Sequence, residues 1–509
     1  MIGTNPILRC DFPDPDVIRV GDTYYMVSTT MHFMPGGVIL RSYDLIHWEI
    51  VSYLYDELEN TPEERLEGEK CAYGQGMWAG SLRYHNGTFY VSFIANDTHR
   101  TYLFRSKNIE GPWQRQNIEG FYYDSSLYFE DDRVFIVHGN TEIYLTELTS
   151  DLTGPKPGGL NRLLVQDRKN AGLGYEGSHF YKINGKYYLF LIHWPNDGTK
   201  RRVETCFVSD SLEGEFRGKD IMDDDMGFFN QGVAQGGIVD TPDGKWYAML
   251  FQDHGAVGRV PVLVPMHWEN DFPVLGIDGK APKLVETTST RPEHRYEPLY
   301  GSDDFQSETL KSFWQWNHIP NHDLWSLTEC PGHLRIRSGK LCTNVCQAVN
   351  TLTQRTVFPE CEASVTVDGS GLHDGDYAGL CTLQGCYAFL ALTKENGKYY
   401  LAMVARELED CGPTPNRVIT EPGREYARIP VDGPVVTLKA KCTLPGKDDE
   451  AEFFYLHNGE WKKLGITHKL FFRLDQFVGC RFALFLFSTK TVGGVADFFD
   501  FRYDCPPEE

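Results

Sequence analysis

One short pattern recurs five times in the first half of the chain and constrains its fold more than any other feature. A turn residue or two, a spacer and two strand formers read GDTYY at 21–25, NGTFY at 86–90, DDRVF at 131–135, NGKYY at 184–188 and DGKWY at 243–247. Asn-Gly and Asp-Gly between β-rich runs are strong hairpin signals, because both residues accept the positive φ of a tight turn. Each copy opens a strand-like run: YYMVSTT, FYVSFIA, VFIVHGN, YYLFLIH or WYAMLFQ. Most copies carry a second hairpin with an aromatic residue, Trp48, Trp113, Phe216 or Trp268. The copies lie 45 to 65 residues apart, slightly longer than an ordinary four-stranded propeller blade. No helical periodicity competes. An all-β chain is expected, with a five-bladed β-propeller over residues 1–295.

The repeat also locates the propeller axis, since the innermost strand of each blade borders the central channel. Ten or eleven residues before Tyr24, Phe89, Val134, Tyr187 and Trp246 stand Asp14, Trp78, Asp124, Glu176 and Gln235. Three of these five equivalent positions are carboxylic acids in apolar or glycine-rich settings. Taken singly, each has an ordinary explanation: Asp14 between prolines could cap a turn, Asp124 could bond the Ser125–Ser126 backbone, and Glu176 could be a paired surface residue. Three at one offset make a joint accident much harder to sustain. Carboxylates that converge on one cavity raise each other's pKa, and burial adds to the cost. Such a cluster persists where it binds a cation or performs acid–base chemistry. Glycoside hydrolysis needs this division: one acid kept protonated for the leaving oxygen, one carboxylate kept ionised to activate water, and a third able to tune the first.

Composition excludes more than it assigns. With 71 acidic against 49 basic residues the formal charge is −22, which repels phosphate backbones and makes nucleic acid an unsuitable partner. No apolar run reaches the roughly 18 residues of a membrane span. Thirteen cysteines cannot all pair, ten lie beyond residue 300, and none forms the CxxC clusters of a zinc site. Scattered thiols and an N-terminus without a basic–apolar leader point to the cytoplasm. His138, His179, His193 and His254 are isolated, and no phosphate-binding or dinucleotide fingerprint occurs.

The segments NPILRCDFPDPDVIRVGDTYYM, YDSSLYFEDD and EGSHFYKINGKYY resemble glycoside hydrolase family 43, and GMWAGSLRYHNGTFY, QGGIVDTPDGKWY and GRVPVLVPMHW extend the likeness through the first half. The resemblance implies Asp14 as general base, Asp124 as pKa modulator and orienter, Glu176 as general acid, and Arg259 as the active-site arginine of the GR segment. It places aromatics at Phe33 and Trp78 against the sugar. The blade alignment adds Gln235 at the blade-five axial position as a further candidate substrate contact, and His254 beside Arg259 is another, with core packing the ordinary explanation of that histidine. Two departures stand out. No cofactor is required for the expected reaction, and a structural calcium ion at the axis stays open, because Gln235 replaces the His that supports a central metal ion in many relatives. The stretch before Asp124 reads YY where relatives often have His, and DSS replaces DPS.

Residues 285–305 read as a linker, and alternating runs such as HLRIRSG, AGLCTLQGCYAFLAL, KYYLAMVA and RFALFLFS suggest an antiparallel β-sandwich over 303–509. FWQWNHIPNHDLWSL and GGVADFFDFRY resemble the concanavalin-like domain of the β-xylosidase and α-L-arabinofuranosidase branch. There a sandwich loop closes the side of the pocket. The expectation is an inverting exo-glycosidase acting on an oligosaccharide, with homo-oligomerisation open. A retaining fructosidase-like enzyme and a non-catalytic carbohydrate-binding propeller are the alternatives. The first is disfavoured by the missing WxNDPNG-like segment, the second by three acids on the axis, more than sugar binding needs.

Overall fold

The computed structural model describes residues 1–170 and 172–507. Among them the chain is all β, with short 3-10 turns and no α-helix. Among the described residues no helix is long and apolar enough to cross a membrane.

Five antiparallel four-stranded sheets form the propeller blades. Their innermost strands are Asp16–Val20, Ser81–His85, Ser126–Glu130, Glu176–Ile183 and Ala234–Asp240, and each turns through one of the repeated hairpins into the next strand. Asn86 and Gly87, like Asn184 and Gly185, adopt the positive φ that a type I′ turn demands. Blade one meets blade five through the Gly237 N–H, which donates to the Pro15 carbonyl, so the ring closes without exchanging a strand. Ile2–Thr4 pairs with Leu284–Glu286, and the Asn5 side chain bonds both backbone groups of Leu263 in blade five.

The C-terminal half is a sandwich of two large antiparallel sheets. One sheet takes its last strand from the propeller: Phe33–Met34 leaves blade one and pairs with Trp316 and Asn317. A single apolar cluster runs from Ile7, Phe12 and Val260 to Leu380, Leu390 and Phe482, so the two halves share a core. The segment between them is packed down, with Arg291 on Asp22, His294 on Glu49 and the Tyr43 N–H donating to the Tyr296 hydroxyl at 2.9 Å. Both the shared strand and the shared core fix the sandwich loops over the mouth of the propeller channel.

Candidate active site

Four of the five blades bend where the innermost strand begins. Asp14, Asp124 and Gln235 adopt φ of 51°, 46° and 67°, and Glu176 precedes Gly177 at 71°. Left-handed backbone at non-glycine residues is strained by about 1 kcal/mol or more, and such strain gathers at functional sites. At Gly177 only glycine serves, because a Cβ there would lie 2.9 Å from Gln235 Cγ.

The bends turn three carboxyl groups toward one another. Asp14 Oδ1 accepts from Arg259 Nη1 (2.9 Å) and Oδ2 from the Thr29 hydroxyl (2.8 Å). Glu176 Oε2 accepts from Asn140 Nδ2 (2.7 Å) and the Tyr123 hydroxyl (3.3 Å). Asp124 Oδ2 accepts from the Gly177 N–H at 3.1 Å. Arg259 also lies 3.4 Å from Asp253, which is held by Arg202 at 2.9 Å. Burial and the charges of Glu176 and Asp14 push Asp124 well above the carboxylate range. Burial raises Glu176 too, against Arg202, Arg259 and Tyr123. Asp124 and Glu176 therefore titrate as a pair that keeps a proton to higher pH than a lone carboxyl group. Glu176 is the more exposed of the two and is the member able to present that proton to a ligand.

The sandwich supplies the side wall. Phe477 lies 5.3 Å from Trp78 and under the Arg259 guanidinium at 4.4 Å, and Trp78 meets Tyr123 at 6.0 Å. The loop carrying Phe477 is tied to the catalytic face by Asp11, whose oxygens accept from the N–H groups of Arg259 (2.8 Å) and Gly479 (2.9 Å). A cavity of about 540 Å³ opens beside it, bordered by Arg202, Asp253, Arg259, Lys447, Phe472 and Phe477.

The other sequence-derived candidates sit further back. Phe33 is buried beneath the Arg481 guanidinium, 3.6 Å from its ring centroid, and packs with Met31 and Val478 behind Trp78 and Phe477. Gln235 is buried, and its N–H donates to Glu204 Oε2 at 2.7 Å. His254 is stacked on Phe228 at 3.9 Å, bonded to Gln252 and absent from the cavity wall.

Sequence reasoning missed Thr29, Asn140, Arg202, Asp253 and Phe477. Asn140 and Asp253 end the second strands of their blades and Thr29 directly follows one, so the repeat that exposed the acids also marks these positions. Phe477 has no counterpart in any repeat.

Below the carboxylates the channel holds Asp16 and His179, 3.7 Å apart. Arg83 already pairs with Asp16 at 2.7 Å. Calcium collects roughly six to eight oxygen ligands, which this set does not offer. Among the described residues no group of three or more His, Cys, Asp or Glu side chains is arranged to hold a metal ion.

Residues 3–273 match the model of glycosyl hydrolases family 43, and residues 302–504 match the β-xylosidase C-terminal concanavalin A-like domain. A β-xylosidase of Formosa agariphila is 28% identical over 99% of this chain and 90% of its own length. A non-reducing end α-L-arabinofuranosidase of Bacteroides ovatus is 30% identical over 80% of this chain and 78% of its own. A solved structure described as a bifunctional GH43-CE of Bacteroides eggerthii superposes with a TM-score of 0.90 at 41% identity, and the present chain, 99% covered, spans 64% of that longer one. With more than half of its length matched, the chain belongs to glycosyl hydrolases family 43.

Proposed function

We propose that the protein is an inverting exo-glycosidase that releases terminal xylose or arabinofuranose from xylan- or arabinan-derived oligosaccharides. The observation that carries this reading is the division of hydrogen bonds among the three acids. Asp14 is held by Arg259 and Thr29, so it serves as an acceptor and can take a proton from water. Glu176 is oriented by Asn140 and Tyr123 through one oxygen, which leaves the other to protonate the leaving group. Asp124, fixed by Gly177, keeps the proton on the pair by repulsion. Phe477 and Trp78 close one side of the site, which suits a chain end better than a continuous polymer. The names of the Formosa and Bacteroides ovatus relatives support both sugars.

Nitrophenyl β-xyloside and α-L-arabinofuranoside assays test the substrate, and proton NMR of the first-formed sugar tests the stereochemistry. Inversion should give the anomer opposite to that of the substrate, because water attacks from the Asp14 side. Retained configuration would overturn the mechanism. Xylohexaose should yield xylose from the first time point, and an early mixture of internal fragments would overturn exo action. Binding without hydrolysis of any of these would favour the non-catalytic reading.

A further inference from the structure

Two buried thiols lie behind the wall of the site. Cys386 occupies the turn between Asp376–Leu383 and Ala388–Glu395, and Cys411 ends the 3-10 turn Leu408–Asp410. Their sulfurs are 2.7 Å apart, although 25 residues separate them in sequence. An S–S bond of about 2.05 Å is therefore within reach of a small movement. Beyond Cys411 the chain runs through the exposed stretch 412–417, so local opening uncovers this thiol first. Hydrogen bonding with Cys386, aided by Arg406 and Arg473 against burial, brings the Cys411 thiol below its usual value.

Both segments seat the loop that carries Phe477. Arg473 Nη2 donates to the Gly412 carbonyl (3.4 Å), and the Asn416 N–H donates to Asp475 Oδ1 (2.7 Å). Asp475 also packs against Gly385, the neighbour of Cys386, where an added Cβ would lie 3.2 Å from its own. Arg473 Nε bonds Asp475 Oδ2 (2.7 Å), and the Arg473 carbonyl accepts from the Phe477 N–H (2.9 Å). The thiols thus stand a few contacts from the ring that meets Trp78 and Arg259.

We propose that Cys386 and Cys411 are a reversible dithiol–disulfide site that sets the stiffness of the Phe477 loop. The oxidant is a small-molecule disulfide such as oxidised glutathione. The Cys411 thiolate attacks one of its sulfurs and expels one thiol, and Cys386 resolves the mixed disulfide and expels the second. Both cysteines are oxidised, one disulfide is reduced to two thiols, and the two cysteine protons pass to those products.

Reduced full-length protein treated with oxidised glutathione should lose two hydrogens by intact mass. Its first crosslinked peptide should join the Cys386 and Cys411 segments. Cys386→Ser should instead accumulate a glutathione adduct on Cys411. Hydrogen exchange across 470–479 should slow on oxidation, recover with dithiothreitol and stay unchanged in Cys386→Ser. A first disulfide elsewhere, for example between the cross-strand neighbours Cys361 and Cys442, would overturn the site. A correct crosslink without altered exchange would overturn its coupling to the loop. If the reaction proposed above holds, the stiffened wall should also lower KM for the aryl xyloside roughly threefold at constant kcat. That readout alone rests on the proposed reaction, whereas crosslinking and exchange do not.

Discussion

The two ends of the propeller channel, built from the same five strands, treat charge in opposite ways. At the hairpin end acids sit beside cations: Arg19 meets Asp240 at 2.5 Å, and Lys182 meets Glu130. Burial works against ionised Glu130, yet Lys182 and Tyr187 hold it below its usual range. At the mouth, four carboxyl groups, Asp14, Asp124, Glu176 and Asp253, face two guanidinium groups, Arg202 and Arg259, which leaves two negative charges unmatched if all four ionise. The mouth relieves that imbalance by holding protons, and Asp124 and Glu176 are both raised. Pairing dissipates the field that acid–base chemistry needs, and leaving acids in excess preserves it.

The largest expected effect is at the base. Asp14→Asn keeps the size of the side chain but removes the group that accepts a proton from water, so kcat/KM should fall by about 10³-fold or more on every substrate. Comparable activity on either nitrophenyl glycoside would show that the charge imbalance has no catalytic use. Next comes the acid. Glu176→Gln should cost about 10²- to 10⁴-fold on xylobiose, whose leaving sugar needs a proton, but roughly tenfold or less on a nitrophenyl glycoside. Equal losses on both substrates would remove Glu176 from the acid role.

A smaller, more specific effect belongs to Asp124. Its repulsion helps keep the last proton on the pair, so Asp124→Asn lets Glu176 release its proton at lower pH. The sign follows directly: the active form is the one that holds the proton, and the alkaline limb of kcat/KM should move downward. An unmoved or upward-shifted limb would show that Asp124 acts through geometry alone. The comparison then sharpens further, because burial without the neighbouring charge would suffice to hold the proton on Glu176.

The carboxylates were legible because a repeat carries positional information. An offset of ten or eleven residues from the repeated hairpins placed Asp14, Asp124 and Glu176 at equivalent bends, and the left-handed backbone at the first two explains why they fall just before regular strand. Asn140, which bonds Glu176, ends a second strand and was open to the same reasoning applied one strand further out. Phe33 and His254 show the limit of local reading. Each lies in a segment that borders the site, but Phe33 turns beneath Arg481 in the strand shared with the sandwich, and His254 turns between Phe228 and Phe358. Phe477 was beyond reach for a different reason. It meets Trp78 across 399 positions of sequence through a non-repeating loop, and only the docking of the two halves brings them together.

The smallest expected effect, at the hairpin end, is the sternest check on the contrast. Arg19 and Asp240 are partly exposed, with side chains 24% and 39% accessible, so solvent screens their attraction. Asp240→Asn should therefore cost no more than about 1 kcal/mol of stability. Asp240 lies five residues along its strand from Gln235 at the mouth, or roughly 16 Å at about 3.3 Å per residue. That exceeds the screening length of about 8 Å at physiological salt. Its charge should then be invisible to Glu176, and the kcat/KM–pH profile of Asp240→Asn should superimpose on that of the parent. A profile displaced as far as that of Asp124→Asn would mean that the channel carries the field from end to end. The excess negative charge at the mouth would then be a property of the whole propeller and not of the cluster around Glu176.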